Sequence, residues 1–301
     1  MTFEQLSIFV AVAERQHLTR AAAAIGLTPS AVSASIKTLE GFYNVRLFER
    51  VGRGIELTQT GRVFLEEAKA TLARAQAAER VLGELGGLQR GRIDVHASQT
   101  VASYWLPPRL MRFHDAFPRI DIRLSVGNTR TVIRAVAEGA AEIGFIEGSV
   151  DEPSLAVSAV AEDHLVVVVA ADHPLATAKN VALAGLFREV SWVMREEGSG
   201  TRSEFEAALA AEGCDPSGLN VVLTFPSNEA VLSATRAGRS AAAVSRIAAA
   251  PLVDEGALAV VDVKLPPRTF MSVRHKERHL GAAGRELMRI CAEGGDGSPA
   301  A

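Results

Sequence analysis

Four short segments of this 301-residue chain place hydroxyls and amides where an apolar, strand-like run gives way to a helical one. They are Ser98-Gln99-Thr100, Gly127-Asn128-Thr129, Gly198-Ser199-Gly200-Thr201-Arg202 and Ser227-Asn228. A helix N-terminus has backbone N–H groups without intrahelical partners and carries partial positive charge. Small polar side chains there either cap their own helix or join those N–H groups in holding a carboxylate, sulfate or phosphate. For any single turn, capping is a sufficient reason. Several such turns at strand ends point to one cleft, because open α/β sheets bind ligands there. The candidate contacts are Ser98, Thr100, Asn128, Thr129, Ser199, Thr201, Arg202 and Asn228. Arg202 has two readings, a charge-assisted bond to an anion or an i,i+4 pair with Glu206. Glu147, at the end of another strand, repels a simple anion unless it meets an amine or stays at the rim.

Residues 18–40, LTRAAAAIGLTPSAVSASIKTLE, offer a different chemistry. They read as two short helices joined at Gly26 in a left-handed turn, with Ala22 and Ala23 small enough for a close crossing. Thr28 is the N-cap of the second helix and Pro29 its first residue. Val32, Ile36 and Leu39 share the inner side; Ser30, Ala34 and Lys37 lie opposite, flanked by Ser33. An outer face of hydroxyls and one amine, with no bulky apolar group, can enter a DNA major groove. An ordinary helical hairpin with a solvated face has the same pattern.

The flanking elements decide between these. Thr2 and Gln5 have capping-box spacing, and Phe3, Leu6, Phe9, Val10 and Ala13 form an apolar stripe. RLFER-VGRG-IELT reads as a two-stranded wing turning at Gly52-Arg53-Gly54. The FVAVAE run from Phe9, the Ala-Ala pair, Thr28-Pro-Ser-Ala-Val-Ser, Ile36-Lys37-x-Leu39-Glu40, Leu47-Phe48-x-Arg50 and Leu57-Thr58-x-x-Gly61 together resemble the winged helix-turn-helix of LysR-type transcriptional regulators. The chain departs from that pattern at Ala34-Ser35, where the family often has a basic residue and Gln, and at Gln16-His17, where it often has Gly-Ser. The first departure removes a base-reading side chain. The resemblance implies DNA contacts by Thr19, Thr28, Pro29, Ser30, Ser33, Ala34, Lys37, Arg50 and Arg53. Read without it, Arg50 and Arg53 are equally two solvated loop arginines.

Residues 59–88 read as one long helix in which Phe64, Ala68, Thr71, Ala75, Ala78, Leu82 and Leu85 form a heptad seam. The stripe fits either a partner helix or the chain's own second domain; the resemblance implies an antiparallel linker-helix dimer. Gly83, Gly86, Gly87 and Gly91 then end the helix and make a hinge, and Arg90 and Arg92 lead onward. From Ile93 strands alternate with helices. Ile93–Val95, Ile120–Val126, Ile143–Ile146, Leu165–Val169, Val190–Met194, Val221–Leu223 and Ala241–Val244 read as strands. Helical stretches lie near 101–117, 129–138, 201–212 and 228–237. The alternation argues an α/β domain of mostly parallel strands, ending in a loose tail after Cys291.

The expected fold is thus an all-α winged helix-turn-helix over 1–58, a linker and dimerisation helix over 59–89, and an α/β effector domain over 90–301. The resemblance makes that domain two-lobed, like periplasmic solute-binding proteins, with one lobe from about 90–161 and 268–293 and the other from about 162–267. The chain then crosses near Ala161–Asp163 and returns near Val263–Arg268. The motifs Gly-Asn-Thr, Phe145-Ile-Glu-Gly, the Arg195–Arg202 run and Ser227-Asn-Glu-Ala-Val are similar to regulators of sulfur-assimilation and carbon-fixation operons. That similarity implies a small anionic effector, a metabolite or an inorganic anion; the family resemblance implies a homodimer assembling into a homotetramer, operator DNA and contact with RNA polymerase.

Composition fits this picture. The 48% hydrophobic content supports a sizeable core. No apolar run approaches the roughly 20 residues of a membrane span. The capped amphipathic start argues against a signal peptide, and the reading is cytoplasmic. Two cysteines, Cys214 and Cys291, give no disulfide framework. The net charge of −3 announces no nucleic-acid binder, and residues 1–58 carry an excess of only one positive charge; placement of charge matters more than its sum. No His/Cys set has metal-ligand spacing, and neither a Walker A motif nor a nucleophile elbow is present. The expectation is a regulator with no cofactor or metal, not an enzyme. Alternatives are a solute-binding protein built on the two-lobed half and a redox-sensing regulator using Cys214.

Overall fold

The structure, a computed structural model, describes residues 1–51, 54–85 and 91–293. They form two compact units, Met1–Leu85 with Glu138–Ala140, and the remainder.

The first unit contains α1 (Phe3–Arg15), α2 (Leu18–Ala24), α3 (Pro29–Tyr43), β1 (Phe48–Val51), β2 (Gly54–Leu57) and α4 (Gln59–Leu85). Thr2 and Gln5 cap α1 reciprocally. Leu6, Phe9 and Ala13 are buried as the stripe requires, but Phe3, the first residue of α1, is exposed. Phe9 is the centre of this unit, its ring 5.4 Å from that of Phe48 and 4.8 Å from that of Phe64. Gly26 takes the left-handed conformation at φ 69°. Ala21 and Ala22 make the close helix crossing; Ala23 faces out. His17, at the second departure from the family pattern, caps α2 by accepting a bond from the Arg20 amide.

Thr28 caps α3 by accepting from the Ala31 amide, Pro29 follows at the first position, and Val32, Ile36 and Leu39 are buried. Glu40, on the inner side of α3, accepts the amides of Leu47 and Phe48 at 2.7 and 3.1 Å and so fixes the start of the wing. β1 and β2 pair antiparallel from Phe48–Leu57 to Val51–Gly54. Gly52 and Arg53 of the expected turn lie outside the described residues. Thr58 donates to the Arg46 carbonyl at 2.7 Å and accepts the Gly61 amide at 3.0 Å, which joins the wing to the start of α4. A Cβ on Gly61 would stand 2.1 Å from the Leu47 carbonyl oxygen, so only glycine fits there.

α4 runs unbroken through Gly83 to Leu85. The expected seam divides. Phe64 and Ala68 pack into the unit's own core, while Thr71, Ala78 and Leu82 are exposed and Ala75 is half-buried. The Leu85 side chain, Gly86, Gly87 and Arg90 are outside the described residues, and Gly91 begins a strand instead of closing the helix.

The second unit contains β3 (Gly91–Ser98), α5 (Pro107–Ala116), β4 (Ile120–Gly127), α6 (Thr129–Glu138), β5 (Ile143–Glu147), β6 (Leu155–Ala170), α7 (Leu183–Glu189), β7 (Trp192–Arg195), α8 (Gly200–Ala211), β8 (Val221–Phe225), α9 (Asn228–Ala237), β9 (Ala242–Ser245), α10 (Arg246–Asp254), β10 (Leu258–Val260), β11 (Pro267–His275) and α11 (Ala282–Glu293). The sheet is mixed, not mostly parallel. β3 is parallel to β4 and β5, and β7 to β8. β11 runs antiparallel to β5 and β6, and β9 and β10 antiparallel to β6. The expectation failed because residues 155–164 and 267–275 were not read as strands. They mix polar and apolar residues, as half-exposed strands do, and carry no continuous apolar run.

β6 and β11 make the unit two-lobed. Residues 155–164 of β6 pair with β11 in the first lobe; residues 165–170 pair with β9 and β10 in the second. The first lobe packs around Ile93, Val95, Phe113, Phe145, Phe270 and Leu287. In the second, Val167 and Val169 face Trp192 and Phe205 on one side of the sheet. Val166 and Val168 face Val231 and Val244 on the other. The stretch expected as one helix over 101–117 is a π-helical turn, Val101–Trp105, followed by α5, which opens on Pro107 and Pro108. α11 extends past Cys291, where a loose tail was expected; residues 294–301 are outside the described residues. No described helix is long and apolar enough to cross a membrane.

Gly61→Ala should destabilise the joint between wing and α4 by about 1–3 kcal/mol, the range for overpacking a tight site. Hydrogen exchange at the Leu57–Gly61 amides should quicken accordingly; unchanged protection there would show that the Leu47 carbonyl gives way at no cost.

Candidate functional site

On α3 the chain presents a polar surface over an apolar anchor. Thr28, Pro29, Ser30, Ala34 and Lys37 are exposed, Ser33 is half-buried, and Thr19 and Arg50 are exposed on α2 and the wing. Arg53 lies outside the described residues. The inner residues hold the helix by burial, so the outer ones are free of any packing duty.

In the second unit the strand-end turns meet. Ser98 ends β3 in the first lobe and Thr100 precedes the π-helical turn that follows; Ser199, Thr201 and Asn228 stand at the N-termini of α8 and α9 in the second, and all five are buried. The Thr100 and Thr201 hydroxyls are 3.4 Å apart. The Asn228 amide group donates to Thr100 Oγ1 at 3.0 Å. Glu147 ends β5 and is buried among these hydroxyls, not at a rim. It accepts a short bond from Ser98 and one of 3.4 Å from Thr201. Its backbone carbonyl accepts from Thr129 at 2.9 Å. α8 approaches so closely that a Cβ on Gly200 would stand 2.2 Å from that same carbonyl oxygen.

Capping accounts for part of this. Ser227 caps α9, and Asn128 and Thr131 cap each other's amides at the start of α6. Asn128 also reaches across, donating to Glu196 Oε1 at 3.2 Å. The Arg130 amide donates to the Gly198 carbonyl. Ser199, by contrast, makes no capping bond, and its buried hydroxyl has no partner among the described residues. Arg202 takes the second of its two readings, pairing with Glu206 at 2.7 Å.

Several residues here were not singled out from the sequence. Arg195 is buried with every nitrogen engaged: Nε and Nη2 on Glu196, Nη2 also on the Pro226 carbonyl, Nη1 on Gln99 and Asn228. Gln99 bridges the lobes, accepting the Asn228 amide and donating to Glu229 at 2.8 Å. Tyr104 also donates to Glu229, and burial, then that carboxylate, hold its phenol above the usual range. Asp163 of β6 and Arg268 of β11 form a buried pair at 2.6 Å. An arginine inside the apolar Trp192–Arg195 strand was the one available signal, since a buried guanidinium needs several partners.

Among the described residues no cluster of His, Cys, Asp and Glu could hold a metal ion. Cys291 is buried in the first lobe's core, and burial pushes its thiol up to about 12, so it holds almost no reactive thiolate at neutral pH. Cys214 is half-buried and free.

Residues 3–62 match the family of bacterial regulatory helix-turn-helix proteins of the lysR family, and residues 86–296 match the LysR substrate binding domain. The chain is 33% identical over 297 residues to the uncharacterized HTH-type transcriptional regulator YeiE of Escherichia coli, covering 97% of each chain. It is 31% identical to a probable RuBisCO transcriptional regulator of Cyanidioschyzon merolae, covering 87% of this chain and 88% of that one. Among solved structures, the regulatory domain of Synechocystis CcmR in complex with 2-PG superposes with a TM-score of 0.62 at 23% identity, covering 70% of this chain and all of that one.

Gly200→Ala should push α8 off the end of β5 and destabilise the second unit by about 1–3 kcal/mol. Trp105 and Trp192 are the two tryptophans and both lie in that unit, so their fluorescence during urea unfolding reads it selectively. An unchanged midpoint would mean that the lobes part here without cost.

Proposed function

Because the chain belongs to the LysR family of bacterial helix-turn-helix transcriptional regulators, we propose that its second unit takes a small anion at the hydroxyl cluster between its lobes, and that this binding governs how the α3 faces meet operator DNA. The observation that carries the ligand reading is the burial together of Ser98 and Thr100 from one lobe with Ser199, Thr201 and Asn228 from the other, with the Ser199 hydroxyl left unpartnered. Buried polar groups are nearly always paired, so such a cluster favours an additional acceptor. Thr129 and Asn128 stand at its edge, and Glu147 holds two of its hydroxyls until a ligand competes for them. The 2-PG bound by the Synechocystis domain supports an anionic effector.

On the DNA side, Ser30, Ser33, Ala34 and Lys37 face base edges, with Thr19, Thr28, Pro29 and Arg50 toward the backbone. The part of α4 outside the first unit's core, exposed Thr71, Ala78 and Leu82 with half-buried Ala75, faces the α4 of a second copy. Two such dimers form a tetramer at the promoter, beside RNA polymerase in the cytoplasm. A ligand touching both lobes favours one lobe angle and so one spacing of the DNA-binding units. The protein acts by binding and not as an enzyme.

A thermal-shift screen of the full chain against sulfur oxyanions, phosphate, small carboxylates and 2-PG, each beside an uncharged analogue at fixed ionic strength, tests the effector. Anions should stabilise and their analogues should not; the reverse would sink the anion reading. Thr201→Ala should weaken the effector by about 1 kcal/mol, more for a charged ligand, and leave effector-free DNA binding intact. Lys37→Ala should do the opposite. It should weaken binding in gel shifts with the gene's own upstream DNA, flattening the salt dependence if it contacts phosphate, or costing about 1–3 kcal/mol at one base position if it reads an edge.

A further inference from the structure

Arg268 is the buried cation that the hydroxyl cluster leaves partly unused. It stands at the start of β11, where the chain returns to the first lobe, directly across from Asp163 on β6. Its Nε donates to Asp163 Oδ2 at 2.6 Å, and Asp163 Oδ1 accepts from Ser245 at 2.7 Å. Its Nη1 donates to Thr201 Oγ1 at 3.1 Å, the same oxygen that lies 3.4 Å from both Thr100 Oγ1 and Glu147 Oε1. Its Nη2 is buried and has no partner among the described residues. An unmade bond costs more for a charged donor than for a neutral one. Other cations near the cluster are engaged elsewhere: Arg195 on Glu196, Gln99, Asn228 and Pro226, Arg202 on Glu206, and exposed Arg130 on the Glu197 carbonyl. Ser199 Oγ, two residues before Thr201, is the second buried polar atom without a partner here.

We propose that Arg268 reads the charge of the effector: Nη2 and the Ser199 hydroxyl take oxygens of an oxyanion, and the guanidinium sets the preference for higher negative charge. The assignment rests on the reading that an anion binds at the hydroxyl cluster. A guanidinium suits the task because its planar fork serves two acceptors at once while keeping its charge. One edge remains on Asp163 while the other meets the ligand. The anion is thereby tied to both strands that join the lobes, which gives its binding a direct route to the lobe angle.

The test uses the full chain and a panel of sulfate, phosphate, small mono- and dicarboxylates and 2-PG at fixed ionic strength, read by calorimetry and thermal shift. Arg268→Gln would leave Asp163 as an unpaired buried charge, so the informative variants are Arg268→Lys, which keeps a cation on Asp163 without the fork, and the double change Asp163→Asn with Arg268→Gln, which removes both charges. In both, the anion that binds the wild type most tightly should bind at least tenfold more weakly. The ratio of affinities for doubly over singly charged members of the panel should fall toward one. A purely structural role would weaken all ligands alike and leave that ratio in place. Wild-type affinity or an unchanged ratio in Arg268→Lys overturns the assignment and leaves the anion reading standing. If no panel anion binds the wild type, both fall together.

Discussion

The second unit depends on the antiparallel pairing of β6 with β11. β6 is one continuous strand of 16 residues whose first part belongs to one lobe and whose last part belongs to the other. The lobes are therefore joined by backbone that is itself hydrogen-bonded, and their relative motion must be a bend or twist of two paired strands. Across the cleft the contacts are of another kind, a handful of polar bonds through Gln99, Asn128, Thr100 and Thr201. Each such bond contributes a net of about 0.5–1.5 kcal/mol. A ligand can shift the lobe angle only by as much as it prefers one arrangement over the other, and contacts of this size are ones that a small charged ligand can outweigh.

The polar cleft is framed by apolar layers. Above it and below it, Phe145 and Phe270 in one lobe and Trp192 and Phe205 in the other fill the cores. The buried charged residues of the cleft stand at strand ends, Glu147 and Arg195, and on the crossing strands, Asp163 and Arg268. Asp163 and Arg268 pair with each other at a buried position, where an isolated ion is strongly disfavoured. Arg195 is held in the same way by Glu196 and a ring of carbonyl and amide oxygens.

What could be read from the sequence was local. Thr28, Pro29 and Gly26 announce their helix ends through the backbone geometry each residue favours, and Val32, Ile36 and Leu39 announce a buried face by their spacing. The family resemblance, carried by residues such as Thr58 and Gly61, supplied what periodicity could not, and Gly61 has a visible reason in the Leu47 carbonyl beside it. The strands at 155–164 and 267–275 were hidden because a half-exposed strand of mixed polarity resembles a loop. Arg268 and Asp163 were hidden because they are 105 residues apart and neither is unusual without the other. The seam of α4 shows a further limit: a heptad stripe does not say which surface it meets, and Phe64 and Ala68 meet the chain's own Phe9 core.

Glu40 grips the wing from within α3, which ties the helix proposed to meet DNA to the strands beside it. A rigid body touching a duplex at two places works as a caliper. It fits where the distance from the major-groove floor to the neighbouring backbone matches its own span, and elsewhere the DNA must bend or change its groove width to meet it. Because that deformation has a different cost for different base steps, under the proposed mode of DNA binding the helix-to-wing distance would itself discriminate between sequences, including at positions that no side chain reaches.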